Sequence, residues 1–268
     1  KTLHDGGLPQ GAGFYRYVAT SLAYGHSALL GYGYFPPMSS CIAYYALMQG
    51  PQSVYLPDRV RRIEYHDGEN FLNTSAALQK GAHRLGRVRV TWQSGLVVAA
   101  NLSNEKDWAV SQEGRDYTLP PNGWILSRPA GKNGRGILGY SALVDGKRMD
   151  YMQHENYIYL SGGELRRRVG PLEVQGAAWL KRDDRGWVLI PCGRLGLWGS
   201  DLRLSGIPKD RGTPTLIVDL PALGLAGASV TAVAEMGEPI AADTEVSSDG
   251  RTQIRVTEKT RCFRIEPR

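Results

Sequence analysis

Cysteine is nearly absent from this chain: three in 268 residues. Cys41, Cys192 and Cys262 form neither an even disulfide set nor a metal-ligand spacing. They are expected to be free thiols packed as small hydrophobes. Long apolar runs are missing too, and without a stretch of 18 such residues no membrane-spanning helix is expected. The sequence begins without an initiator Met and without the basic, apolar and small-residue order of a signal peptide. Acidic residues are scarce where they would matter most, because Asp5 is the single carboxylate in residues 1–57.

What is present is a soluble composition, 42% hydrophobic and 22% charged, long enough for one large or two ordinary domains. The net charge is +6, and 24 of the 32 basic residues are arginine. A nucleic-acid partner would require that charge to be gathered on one face. Here it is scattered, with Arg166-Arg167-Arg168 as the one compact run. Arginine alternating with valine in Arg87-Val88-Arg89-Val90 reads as the solvated side of a half-buried strand.

Helical spacing dominates the start. Phe14, Val18, Leu22 and Leu29 recur along residues 10–30, with Tyr15, Ala19, Ala23 and Tyr24 widening the stripe. A helix apolar over so much of its circumference is covered by other elements. Gly31 to Pro37 stops it. A second helix is expected from Ser39 or Ser40 to Gly50-Pro51. After Pro57 the texture changes to short alternating strands, with turn signals every eight to twelve residues and no helix between them. That pattern argues for an antiparallel β-sandwich. A composition shift at Ser205-Gly206 sets off residues 206–268 as a small β region that completes the sandwich or forms a second one. The expected organisation is therefore a helical segment (1–57), a sandwich (58–205) and that final region.

The chemistry-bearing residues lie at the beginning. In His4-Asp5-Gly6-Gly7 an acid ends a strand-like run and precedes glycines and a helix. Barrel enzymes place a reacting carboxylate this way, but Asp also caps helices and bonds loop amides. His26 falls at the end of the aromatic helix, where it either meets the terminal carbonyls or joins Tyr17 and Tyr24 in a pocket. Tyrosine faces suit the apolar face of a pyranose. Two carboxyl groups flank the scissile bond in most glycosidases, and a partner for Asp5 would have to come from acids such as Glu64, Asp67 and Glu69 or from elsewhere. No phosphate loop, nucleophile elbow or paired-His metal motif is present, so no cofactor or metal is expected. Asn73-Thr74-Ser75 and Asn101-Leu102-Ser103 match the short N-glycosylation pattern.

Taken in order, His4-Asp5-Gly6-Gly7, a helix ending Leu22-Ala23-Tyr24-Gly25-His26, a second helix and then strands resemble the end of a TIM-barrel glycoside hydrolase joined to its C-terminal β-sandwich. Gly95-Leu96-Val97-Val98-Ala99-Ala100-Asn101 resembles the "G-L-x-V-x-x-N" strand of such sandwiches. Leu119-Pro120-Pro121-Asn122-Gly123 resembles their "L-P-P-x-G" turn, and Val188 to Cys192 looks like the same kind of sandwich. The resemblance implies a mainly β chain preceded by the end of a (β/α)8 barrel. It implies an oligosaccharide or polysaccharide partner, with Asp5 catalytic and His4, Tyr17, Tyr24 and His26 binding substrate. A full barrel takes roughly 250 residues, so the missing N-terminal portion would carry most of the catalytic residues and this chain alone would be inactive. Secretion or a periplasmic location would depend on a leader in that portion. The alternative is a non-catalytic carbohydrate-binding or structural β module with an exposed aromatic row drawn from Trp92, Trp108, Trp124 or Tyr151. A cell-surface adhesion domain has no specific support.

Overall fold

Valine alternates with arginine and threonine along residues 87–92, and folding turns that period into a wet face and a dry one. In the computed structural model, which describes residues 12–27, 38–131, 136–192, 215–234, 236–257 and 260–267, Val88, Val90 and Trp92 are buried and Arg87, Arg89 and Thr91 half-buried. The chain divides into two compact units that break between Glu155 and Asn156. The described residues are mainly β and pair antiparallel, as the sequence predicts, in a pattern consistent with sandwich architecture.

The first unit runs α1 (Ala12–Tyr24), α2 (Met38–Tyr55), β1 (Val60–His66), β2 (Phe71–Asn73), α3 (Thr74–Lys80), β3 (Arg87–Trp92), β4 (Val97–Asn101), β5 (Trp108–Gln112), β6 (Arg115–Leu119), β7 (Trp124–Arg128), β8 (Ile137–Val144) and β9 (Lys147–His154). Its ladder is β2-β1-β3-β4-β7-β8-β9, and the β5–β6 hairpin joins at Thr118 opposite Leu143. Phe14, Val18, Ala19, Leu22 and Ala23 form the buried stripe of α1, which lies against β3 and β4. Covered in this way, β4 loses its alternation, and Val98, Ala99, Ala100 and Asn101 are all buried.

The "G-L-x-V-x-x-N" and "L-P-P-x-G" segments turn out to be two halves of one clasp. The Asn101 side chain is wholly buried, and its Nδ2 donates to the carbonyls of Lys106 (2.8 Å), Leu119 (2.9 Å) and Pro120 (3.1 Å). Its backbone N–H donates to Gly123 O at 2.8 Å. The turn itself closes through Gly123 N–H to Pro120 O at 2.7 Å, with Asn122 at φ +58°. A Cβ on Gly123 would stand 2.7 Å from Ser141 O, so the closing position has room only for glycine. The end of β4 is thereby sewn to the approach to β7.

The second unit contains β10 (Tyr157–Val169), β11 (Leu172–Asp183), β12 (Gly186–Pro191), β13 (Thr215–Val218), β14 (Ser229–Val233), β15 (Pro239–Ala241), β16 (Asp243–Val246), β17 (Thr252–Arg255) and β18 (Cys262–Glu266). Its pairing branches at β11. One edge of β11 holds β10, and the other is shared between β13, beside residues 172–174, and β12, beside residues 178–183. From β12 the ladder continues through β18 and β14 to β15, and from β13 through β17 to β16.

Several elements differ from the sequence reading. α2 continues past Gly50-Pro51 to Tyr55, because the added turn buries Val54 and Tyr55. Pro51 removes one donor, and within the same turn Ser53 Oγ donates to Gly50 O at 2.7 Å. The strand region is interrupted by α3, capped by Asn73 Oδ1 accepting from Ala76 N–H and closed by Gly81 in the left-handed region. β10 continues past Leu160 to Val169, with register shifts near Gly163. The strand expected at Leu202 to Ser205, Leu29 and the segment from Gly31 to Pro37 lie outside the described residues.

Candidate functional site

His4 and Asp5 also lie outside the described residues. The other three expected site residues sit on α1 and just beyond it. Tyr17 and Tyr24 are seven residues apart, so they share one side of the helix. Tyr17 is half-buried, its ring tilted against Tyr44 at 5.2 Å, and burial pushes the Tyr44 phenol well above its ordinary pKa. Tyr24 is 45% exposed and His26 is exposed, with ring centroids 6.0 Å apart and planes 31° from parallel. Burial raises the Tyr24 phenol, and the Tyr65 phenol nearby raises it further.

The backbone holds this pair in place. Gly25, at φ +67°, ends α1, and His26 N–H reaches back to Ser21 O at 2.9 Å, the long bond of a Schellman cap. Tyr55 OH donates to His26 O at 2.7 Å, and the Tyr55 ring stacks on Trp92 at 5.8 Å. A Cβ on Gly25 would touch Trp92 Cζ2 at 3.4 Å. Two helices and a strand therefore fix the backbone from Tyr24 to His26.

Among the acids considered as partners, two have structural employment. Glu64 is buried in β1 rather than in a turn, and it pairs with Arg89 at 2.9 Å and Arg62 at 3.4 Å. Asp67 accepts from the N–H groups of Asn70 (2.8 Å) and Glu69 (3.0 Å), which hold its carboxyl below the usual range. The Arg166–Arg168 run is likewise engaged: Arg166 meets Glu173 at 2.7 Å and Arg168 meets Asp219 at 3.2 Å.

The carboxyl that the sequence reading missed is Asp150 on β9. It is 6% exposed; Ser141 Oγ, directly across on β8, donates to its Oδ1 at 2.6 Å, and Tyr15 OH of α1 donates to Oδ2 at 3.4 Å. Arg148 stacks on the Tyr15 ring at 3.9 Å and donates to Ser141 Oγ (3.0 Å) and Pro121 O (2.5 Å). Burial raises the Asp150 pKa, and the Arg148 charge opposes that only in part. So enclosed a carboxyl cannot reach a glycosidic oxygen; it pins α1 to the sheet. A carboxyl raised in the folded state stabilises the fold most in acid, and that contribution fades as pH rises through the folded value. Asp150→Asn should therefore gain in Tm relative to the parent as pH rises above the ordinary carboxylate range of about 4. Parallel Tm-against-pH curves would contradict this.

Trp92, Trp108, Trp124 and Tyr151, the row considered for a carbohydrate-binding platform, are 2%, 2%, 0% and 3% exposed and belong to the core. The three cysteines are free, and burial raises each thiol. Among the described residues no three His, Cys, Asp or Glu side chains are grouped to hold a metal, and no helix is long and apolar enough to cross a membrane. Fold and site together define a mainly β protein with an aromatic cap. No protein-family model, curated protein or solved structure matches the chain.

Proposed function

We propose that this chain is the C-terminal part of a carbohydrate-active hydrolase. The helical segment is the edge of a catalytic barrel, and the β units are its accessory support. The observation carrying this reading is the exposed Tyr24–His26 pair on a backbone fixed by Tyr55 and Trp92. Two adjacent exposed aromatic faces suit the apolar side of a pyranose. Asp5 is the carboxylate assigned to the reaction, with its partner supplied by the remainder of the barrel. The part of the alternative reading that rested on an exposed tryptophan row loses its residues to the core.

A glycan array probed with this chain, and with Tyr24→Ala and His26→Ala, tests the reading. Oligosaccharide binding should weaken roughly tenfold in Tyr24→Ala, with the far-UV circular dichroism unchanged. Binding that survives both substitutions intact, or no binding to any glycan, would overturn it.

A further inference from the structure

The β5–β6 hairpin overhangs a cleft of about 160 Å³, remote in sequence from Tyr24 and His26 and unassigned to any role. Strand pairing explains its lining. Ser127 lies opposite Leu138 and Ile125 opposite Tyr140, while the Tyr140 ring meets the Tyr117 ring at 5.6 Å, tilted by 47°. Half-buried Leu138 gives an apolar floor over the wholly buried Ile125, with the Tyr117 ring as a wall.

The polar groups come from the hairpin. Gln112 Nε2 donates to Ser127 Oγ at 2.7 Å and to Val97 O at 3.3 Å. Its Oε1 is left to accept, and Ser127 keeps its own proton to donate. Glu113 and Arg115 stand at the lip, exposed, and no side-chain ion pair or hydrogen bond holds either one among the described residues. Glu113 occupies the first position of a two-residue turn at φ +51°, followed by Gly114 at +73°. Such turns favour Asn, Asp or Gly at that position. Glu113 is the strained choice, and it places a carboxylate at the cleft.

We propose that this cleft is a second ligand site, taking a single neutral pyranose. At the lip the Glu113 carboxylate offers acceptors and the Arg115 guanidinium offers donors to sugar hydroxyls. The floor and the Tyr117 ring suit the C–H face of a sugar. The volume lies below that of sites for drug-sized ligands, so the occupant is one ring or a chain end. So few contacts imply millimolar affinity.

Titrating the 15N-labelled chain with D-glucose, D-galactose or D-mannose tests the site. At millimolar sugar, amide shifts should move within residues 110–117 and at Ser127. Glu113→Asn should raise the Tm while weakening this binding roughly tenfold, and Arg115→Met should weaken it similarly. A gain in stability together with a loss of binding separates a functional Glu113 from a structural one. No shift with any of the three sugars, or shifts that persist in both variants, would overturn the proposal. Tyr24→Ala should leave these shifts unchanged, so failure here and failure of the proposed hydrolase reading are distinguishable.

Discussion

Asn101→Asp is expected to cost about 3–5 kcal/mol of folding stability, although it exchanges one NH2 for one oxygen. Three carbonyl oxygens converge on Asn101 Nδ2 within 3.1 Å, while Oδ1 accepts from Ser103 N–H at 3.3 Å. That arrangement fixes which way the amide points, since the opposite flip would set oxygen against three oxygens. An aspartate does so in either orientation. It must stay charged and unpaired in a site that water does not reach, or take up a proton. If it takes up a proton, its folded pKa is raised, so the loss should be smaller in acid and grow as pH rises through that value. Urea denaturation at about pH 5 and about pH 8 would show both the size and the direction. A loss below about 1 kcal/mol, the scale of an ordinary hydrogen bond, would mean that the clasp is not what joins β4 to the 119–123 turn.

Trp124→Ala should be comparably severe, at about 3–5 kcal/mol. The Trp124 side chain is fully enclosed, and its Cζ3 would lie 3.2 Å from a Cβ on Gly139, the residue of β8 that makes room for it. Met152 of β9 crowds the same position, with Sδ 2.8 Å from that Cβ site. Truncation leaves a cavity that surrounding strands, fixed by their ladders, cannot close. Yet the indole Nε1 is buried without a hydrogen-bond partner among the described residues. Trp124→Phe removes that orphan donor while keeping most of the ring, recovering about 1–3 kcal/mol of desolvation cost. It should therefore lose less than half of what alanine loses by urea denaturation. Equal losses would show that the indole N–H is satisfied after all.

The parts of the fold legible in the sequence were those in which one residue's environment decides its pattern. Val88, Val90 and Trp92 alternate because β3 has a dry face and a wet one, and α1 is striped because one side meets the sheet. Asp145-Gly146, between paired Val144 and Lys147, carries the residue types that a two-residue hairpin turn selects. What escaped depended on partners distant in the chain. Asp150 sits in Met149-Asp150-Tyr151-Met152, where the strand is buried on both faces and period two vanishes. Only the register that sets it opposite Ser141 reveals why an acid is tolerated there. α3 was legible in principle, since Asn73 and Gly81 are cap residues at the right separation, but the surrounding strand signals overrode so short a segment. Of the candidate site, the sequence marked Tyr24 and His26 as aromatic neighbours. It carried no sign that Tyr55, twenty-nine residues on, would anchor the His26 carbonyl.

The clasp has a consequence for the two N-glycosylation patterns. Asn73 is exposed and spends only its Oδ1 on capping α3, so its Nδ2 stays free to carry a sugar. Asn101 spends its Nδ2 on three carbonyls in a place that water does not reach. A glycan at Asn101 and a closed turn at 119–123 are therefore mutually exclusive.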